Sequence, residues 1–515
     1  MAPVDSKSNN KRIAKNTALL YIRMIFLLGI SFYTTRAILQ ALGVVDLGIY
    51  NVVGGVVAMF SFINGSLSSA SSRFITFELG KGIKDEIHKT FNTIVTVHFL
   101  FGLILLVLAE TIGLWFVLNK LVIPEERFTA AFWVYQSAVV SAVIVICSAP
   151  FNASIIAHEK MSAFAYISIY EALSKLVIVL ILFTTTLDKL ILYSLLLLLV
   201  QSSVILIYIR YCKKHFEESR FNLTWDKRRI KKIFSYAGWV MTGSLAYLSC
   251  TQGLNILLNL FFGPAVNAAQ ALATQLQGAL NQFSTNFMMA VKPQITISYA
   301  QGNLRRMHTL ILSSTKLGAL LMLIILVPFF VEVDFLLSIW LKEIPNHTAN
   351  FVRIMLCVGV VRAMMEPTMA AIHATGRIRK AEITEMICMI LLLPIAYALL
   401  KICGLSPEWT LVLYLITEIY TQIGRVTVIY PQVGLKRRYY FTNIIIPIVL
   451  SGSISIITCY LFRFFVSGDG VIYHFVMLPF ALISILLTSW CFGLNNSERK
   501  FVLEKISKYI NKSSK

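Results

Sequence analysis

Apolar runs long enough to cross a bilayer recur along nearly the whole chain, about fourteen of them, and no other feature restricts the fold so tightly. Hydrocarbon offers the backbone no hydrogen-bond partners, so a segment that crosses it must satisfy its own N–H and C=O groups, as a helix of about 20 residues does. The runs are Thr17 to Ile38, Leu47 to Leu67, Phe91 to Val117, Thr129 to Pro150, Ala163 to Thr184, Leu190 to Tyr208 and Gly238 to Phe262. They continue as Val266 to Val291, Leu310 to Val331, Val352 to Ala374, Ile383 to Leu400, Trp409 to Val428, Phe441 to Phe462 and Val471 to Trp490. With 57% hydrophobic and only 14% charged residues among 515, the bilayer is the solvent, and an all-α polytopic membrane protein is expected.

The formal charge of +21 invites a nucleic-acid reading, which the placement of the cations argues against. With the N-terminus in the cytoplasm, most of the 46 Lys and Arg fall in the tails and the even-numbered loops. That asymmetry is the positive-inside pattern; it puts both termini in the cytoplasm and makes the runs Lys227-Arg228-Arg229-Ile230-Lys231-Lys232 and Lys436-Arg437-Arg438 topology signals. A hydrophilic N-terminal stretch leads straight into a full-length span, so no cleavable signal peptide is expected. At the other end Val502, Ile506, Tyr509 and Ile510 recur at helical spacing among lysines, as in a helix lying on the inner surface. The eight cysteines are scattered without a C-x-x-C pair and read as small core residues, not as disulfides or metal ligands.

Sliding the sequence against itself by about 220 residues sets Gly43 on Gly263, Ile75-Thr76 on Ile295-Thr296, Gly82 on Gly302 and His88 on His308. A slightly shorter shift pairs Pro150, Ala153, Ile155 and Ala157 with Pro367, Ala370, Ile372 and Ala374. The common order points to a duplication of six spans, an even number, so both copies enter the membrane in the same orientation. The expected organisation is a six-helix bundle over residues 1–210, a basic cytoplasmic linker over 211–232 and a second six-helix bundle over 233–430. Two further helices within 431–494 and an amphipathic cytoplasmic tail over 495–515 complete the chain. Two parallel bundles related by a pseudo-twofold along the membrane normal enclose a space, and transporters of this build bind substrate there.

Polar residues inside the runs are candidates to line that space. In the eighth run Asn267, Gln270, Thr274, Gln277, Asn281 and Ser284 fall on one helical stripe. The second run carries Asn51, Gly54, Ala58, Ser61, Gly65, Ser68 and Ser72 on a similar one, and the seventh adds Ser244, Thr251, Gln252, Asn255 and Asn259. Small and hydroxyl residues also serve helix packing, but long amides facing hydrocarbon would each cost several kcal/mol, which favours a wet surface for the eighth run. Amides and hydroxyls both donate and accept, as sugar hydroxyls do.

Ionisable residues in membrane helices are functional candidates. Glu171 with Lys175, and Arg362 with Glu366, are i,i+4 pairs, and Glu418 and Arg425 lie two turns apart on one face, so each set is expected to neutralise itself. Arg23, Lys292 and Lys316 lack such local partners and fall toward the cytoplasmic side, where a negative headgroup would enter; Lys292 and Lys316 could equally snorkel to the inner interface. Arg36, with Asp46 and Glu110 at similar depth, suits an exit path or outer gate.

Asn16-Thr17, Thr35-Arg36, the stretch Leu42-Gly43-Val44-Val45-Asp46-Leu47-Gly48-Ile49-Tyr50-Asn51 and the small-residue helix after it resemble the polysaccharide flippases of the multidrug/oligosaccharidyl-lipid/polysaccharide exporter superfamily. Ser71-Ser72-Arg73-Phe74, Pro150-Phe151-Asn152-Ala153-Ser154-Ile155-Ile156-Ala157-His158-Glu159 and Gly253-Leu254-Asn255-Ile256-Leu257-Leu258-Asn259 resemble the version found in Bacteroides-type bacteria. The resemblance covers roughly residues 10 to 440 and fits a count of fourteen helices. It implies a bacterial inner-membrane protein that moves an undecaprenyl-pyrophosphate-linked O-antigen or capsule repeat unit by alternating access, alongside a polysaccharide polymerase and glycosyltransferases. It also implies cavity arginines on the first helices that engage the pyrophosphate, and Arg23 and Arg36 are the matching positions. The expected headgroup set is therefore Arg23, Arg36, Lys292, Lys316 and Arg362, and the expected glycan set is Asn51, Asn255, Asn259, Gln270, Thr274, Gln277, Asn281 and Ser284.

Three rivals compete. A drug/cation antiporter of the same superfamily wants an unpaired acid, whereas Glu171 and Glu366 have basic neighbours. A lipid II flippase shares the pyrophosphate and the lipid. A membrane glycosyltransferase or polymerase tends to use sizeable external loops, and those here are short. The sequence has no Walker motif, metal-ligand cluster, nucleophile elbow or H-E-x-x-H, so neither catalytic residues nor a cofactor or metal is expected; His158-Glu159 is a lone dipeptide and Asn346-His347-Thr348 a chance sequon.

Overall fold

A computed structural model of the chain describes residues 6–500 and 503, apart from 59–60, 122, 221–225, 342–343, 467–469 and 497. Nearly everything described is helical: α1 Ser6–Ala58, α2 Ser61–Lys81, α3 Lys84–Leu108, α4 Leu114–Lys120, α5 Phe128–Ala157, α6 Met161–Thr184, α7 Lys189–His215, α8 Lys227–Phe262 and α9 Pro264–Ala300. The remainder are α10 Leu304–Val331, α11 Val333–Trp340, α12 Thr348–Thr375, α13 Arg379–Cys403, α14 Glu408–Val433, α15 Arg437–Tyr440, α16 Ile446–Phe465 and α17 Val471–Thr488. The protein is an all-α polytopic membrane protein.

Among the described residues, 12 helical segments are long and apolar enough to span a membrane. The second and eighth of the fourteen expected runs are absent from that set. Residues 59–60 of the second run lie outside the described residues, whereas the eighth run is helical and carries the polar stripe that lowers its hydropathy; the two are the partners matched by the internal repeat. The eight cysteines are free; Cys212, Cys250 and Cys459 are buried, whereas Cys403 and Cys491 are exposed and so are not the core residues expected. The residues of the amphipathic tail, Val502, Ile506, Tyr509 and Ile510, lie outside the described residues.

The duplication has a conformational signature. Gly43 breaks α1 at φ 78 and ψ 174, and Gly263 separates α8 from α9 at φ 80. Gly82 at φ 74 and Gly302 at φ 71 end α2 and α9 in the same way. Left-handed backbone is the region that glycine enters without a Cβ clash, which explains why these matched positions hold glycine. His88 Nδ1 meets the Glu218 carbonyl at 3.1 Å, and its repeat partner His308 meets the Val433 carbonyl through Nε2 at 2.7 Å, so each histidine ties a third or ninth span to the end of a sixth or twelfth.

By contact the chain divides into two units, the first made of Met1–Leu245 with Met289–Asn303 and the second of Ala246–Met288 with Leu304–Lys515. In the first unit α5 packs on α1, α2, α3 and α7, and α6 lies against α1 and α7. A wide π turn at Ala109–Gly113 extends α3, and the Ala109 carbonyl accepts from the buried Tyr135 hydroxyl at 2.6 Å. Near their C-terminal ends α2 and α9 approach so closely that a Cβ on Gly80 would lie 2.6 Å from that of Ala300, the close backbone approach that small residues permit in membranes.

In the second unit α12 packs on α10 and α14, and α13 on α14. The two helices beyond the repeat, α16 and α17, pack on each other and on α10. Gly452 of α16 faces Leu323 of α10, where an added Cβ would stand 3.1 Å from a leucine methyl.

Candidate substrate-binding residues

Within the first unit, Arg23 sits on α1 beneath the Gly43 break. Its guanidinium lies over the Phe164 ring of α6, 4.4 Å from the centroid, and its Nε is buried without a hydrogen-bond partner. Glu171 and Tyr208 are within electrostatic reach. Glu171 is held by Lys175 at 2.7 Å, the expected i,i+4 pair, and by Gln201 of α7 at 3.2 Å. Arg36 and Asn51 are exposed, as is Lys292 in the C-terminal part of α9.

The acids placed near Arg36 by depth have other partners. Asp46 accepts from Arg127 Nε at 2.8 Å, and Arg127 also reaches Asp188 at 2.6 Å, so one arginine fastens three connections on one face of the unit. Glu110 accepts from Gln136 at 3.1 Å. Asp188 also caps α7, accepting from the backbone N–H groups of Leu190 at 3.0 Å and Ile191 at 3.1 Å. Burial alone would raise the Asp188 carboxyl, but the Ile191 N–H and the Arg127 guanidinium outweigh it and hold the group below its ordinary value.

Opposite this face, Glu159 is a buried acid in left-handed backbone, φ 56. It binds Arg12 at 2.7 Å and accepts from Gln294 of α9. The dipeptide read as a lone pair is thus built into the unit: His158 Nε2 lies 2.5 Å from Glu218 and stacks on Phe216 with centroids 4.0 Å apart. Burial pushes the Glu218 carboxyl up, but the hydrogen bond with His158, a backbone hydrogen bond and the nearby His158 and His88 rings together hold it below its ordinary value.

In the second unit the stripe on α9 turns largely inward. Gln270, Gln277 and Ser284 are buried, Asn281 half-buried and Thr274 exposed. Asn281 and Gln277 lie beside Gly359 of α12, whose absent side chain leaves room for them. Asn267 reaches back across the Gly263 turn and donates to the Asn255 carbonyl at 3.0 Å. Gln270 Oε1, Gln277 Nε2 and Ser284 Oγ are buried without hydrogen-bond partners, a costly state unless water or a ligand satisfies them. On α8, Asn255 is half-buried and Asn259 exposed.

Two expected cations are already neutralised. Lys316 is buried on α10 and paired with Glu498 at 2.7 Å. Arg362 pairs with Glu418 of α14 at 2.7 Å rather than with Glu366 one turn away, and it donates to the hydroxyls of Tyr247 at 3.0 Å and Tyr414 at 2.8 Å. Arg425 correspondingly bonds Glu385 of α13, not Glu418. The correction is geometric: pairs along one helix are visible in a sequence, whereas a planar guanidinium between helices takes the carboxylate on the neighbouring helix that meets it edge-on. Tyr247, Tyr414 and Glu385 were not singled out from the sequence; aromatic hydroxyls and acids at the depth of each buried arginine were the available signal.

A family model for polysaccharide biosynthesis proteins matches residues 13–299. No curated protein sequence matches the chain. Among solved structures, a point mutant of a MATE protein aligns with a TM-score of 0.70 at 14% identity, covering 82% of this chain and 96% of that one. A multidrug resistance MATE family transporter of the MOP superfamily, in an outward-facing conformation, aligns at 0.69 and 14%, with 82% and 96% covered. A MOP superfamily transporter from Pyrococcus furiosus Vc1, described as having a binding pocket of reverse polarity, aligns at 0.66 and 13%, with 82% and 97% covered. At these identities the likeness shows a shared fold.

Proposed function

This chain belongs to the polysaccharide biosynthesis protein family, with the fold of MATE transporters, and on that premise we propose that it is a flippase for undecaprenyl-pyrophosphate-linked oligosaccharide, an O-antigen, capsule or related surface repeat unit. It works in the bacterial inner membrane with both termini in the cytoplasm, beside the glycosyltransferases and polymerase that make and consume its cargo. The observation that carries the reading is Arg23: a guanidinium inside a membrane helix, one edge unbonded and one face on an aromatic ring, is poised for a pyrophosphate. Arg36 extends the cationic path outward, while Lys292 has an interaction of its own. Lys316 and Arg362, already paired, leave it.

The headgroup enters sideways while the polyprenyl tail stays in the bilayer. Asn51, Asn255, Asn259, Thr274 and Asn281 offer donors and acceptors to sugar hydroxyls, and the orphaned atoms of Gln270, Gln277 and Ser284 are met by cargo or by the water it carries. Alternating access then exposes the cargo outside. Each negative charge moved outward across an inside-negative membrane gains about 2.3 kcal/mol per 100 mV, a driving force that needs no ATP.

Arg23→Ala is expected to abolish surface polysaccharide in a complementation assay while the protein inserts normally, and Arg23→Lys to restore part of it. Joint replacement of Asn255, Gln270, Gln277 and Asn281 by alanine is expected to do the same as Arg23→Ala. Normal polysaccharide from either inserted variant would overturn the assignment. The lipid II alternative is separated by viability, since loss of lipid II export kills the cell. A cation antiporter would use a free mid-membrane acid, but Glu171 is bound to Lys175, and Glu366, though Arg362 pairs with Glu418 instead, is not without a partner. Cysteine labelling from outside should reach the connection before α5 and leave the linker before α8 unmodified.

A further inference from the structure

Inside the first unit lies a cavity of about 440 Å³, within the size range of small-ligand sites. Small side chains keep it open. Ser137, Ala138, Ser141 and Ala142 stand on one face of α5, two pairs a helical turn apart, and Gly54 faces them from α1. Its polar groups come from three further helices: Asn64 of α2, Lys175 of α6 and Gln201 of α7. Tyr50 and Tyr193 add an aromatic wall, edge to face with centroids 5.0 Å apart.

The second copy of the repeat is bulkier at most of the matching positions. Counted back from the aligned prolines Pro150 and Pro367, Ser137, Ala138, Ser141, Ala142 and Val145 correspond to Ile354, Met355, Val358, Gly359 and Arg362. Met355 and Val358 are buried, and Arg362 crosses to Glu418 on α14, the counterpart of the helix that carries Gln201. At most of these positions one copy of the repeat therefore carries bulkier side chains and an ion pair where the other keeps small side chains around a partly polar space. An unfilled space forfeits packing contacts, so a copy that keeps its side chains small around one has something to hold.

We propose that this cavity binds a sugar ring of the cargo beyond the first, a reading that rests on the lipid-linked oligosaccharide proposed above. Neutral hydroxyls and amides, one ammonium already balanced by Glu171, and tyrosine faces suit a pyranose, whose edges hydrogen-bond and whose C–H face packs on an aromatic ring. The position fits as well. Arg127 joins Asp46, just past the Gly43 break, and so sets the end of α1's first segment level with the start of α5. At about 1.5 Å per residue, Arg23 lies about 30 Å from that level and Ser141 about 20 Å. A pyrophosphate at Arg23 therefore leaves the first sugar short of the cavity and brings a later one into it, past the Glu171–Lys175 pair.

The test compares two lipids in vesicles containing the full chain: the complete lipid-linked repeat unit purified from the host, and undecaprenyl pyrophosphate carrying a single sugar. Ser141→Leu, and separately Ser137→Leu, should slow flipping of the complete unit at least tenfold and change that of the single-sugar lipid less than twofold. A monodisperse detergent peak and an unchanged or raised Tm establish that each variant is folded; the single-sugar rate gives the same check in the bilayer. Equal loss for both lipids, or loss for neither, in folded protein overturns the cavity assignment. Failure of the wild-type chain to flip either lipid overturns the flippase reading itself, and the cavity's sugar with it.

Discussion

A buried arginine takes its counter-charge from wherever the packed helices supply one, and Arg362 shows how far that can lie from its sequence neighbours. Glu418 is almost wholly buried, with 2% of its side chain exposed, and one of its oxygens accepts from both Nε and Nη2 of Arg362. Removing one member leaves an uncompensated charge in a low-dielectric setting, whereas removing both leaves only a shape to fill. Glu418→Gln is therefore expected to destabilise the detergent-solubilised protein by about 3–5 kcal/mol, and Arg362→Met with Glu418→Leu to regain most of that, read from thermal unfolding. A double variant as unstable as the single one would mean that the pair does more than neutralise itself. The sequence showed that Arg362 was buried and in need of a partner; it could not show that α14 would bring Glu418 closer than Glu366. Lys316 makes the same point, since its partner Glu498 lies 182 residues away.

At the scale of elements, the repeat is written in backbone and charge more than in residue identity. Arg127 and Asp188 tie the connection before α5 to the one before α7 in the first unit, and at the same spacing His347 and Glu408, 2.6 Å apart, tie the matching connections in the second. Identity matching passes over this pair because arginine has become histidine and aspartate glutamate; comparing charge sign at the repeat offset finds it. Asp188 also allows cap and charge to be separated. Its carboxyl is held below the ordinary value of about 3.9, so its contribution is complete above that pH and is lost as pH falls through the depressed folded value. Asp188→Asn keeps a capping oxygen and should abolish this acid-dependent loss of Tm, while Asp188→Ala should in addition cost about 1 kcal/mol at neutral pH. An acid profile identical to wild type in Asp188→Asn would assign the loss to other carboxylates. The matched glycines give a second check. Gly43→Ala and Gly263→Ala each force an L side chain into left-handed backbone, and each is expected to cost about 1–2 kcal/mol, by comparable drops in Tm. The polar stripe of α9 was legible as a stripe. Its inward turn depended on Gly359 of a helix about eighty residues downstream, whose missing side chain no periodicity reveals.

For the whole molecule, helix number and type followed from apolar run length, because a bilayer leaves an open chain no other way to satisfy its backbone. What run length does not fix is which helices are structurally indispensable. The last two spans fall outside the repeat, which makes them look like an appendage, yet they belong to the second unit's core. Gly452 and Gly493 bring backbone against Leu323 and Leu320 of α10, Ser455 bonds Ser484 between α16 and α17 at 2.9 Å, and His474 binds Glu332, which is buried at 2% exposure beside α10. Without α16 and α17, Glu332 would lose that hydrogen-bond partner and the leucine face of α10 its small-residue partner. Lipid can replace the apolar contact but not the hydrogen bond. A chain ending after Val433 is accordingly expected to lose most of its folded yield, measured as the monodisperse peak in mild detergent, even though both copies of the repeat are intact. Glu332→Gln, which keeps a neutral hydrogen bond to His474, should retain that peak with a lowered Tm. If the truncated chain were recovered as a well-behaved monomer, the two copies would be self-sufficient, and α16 and α17 would have to be explained by cargo or partners rather than by the stability of the second unit.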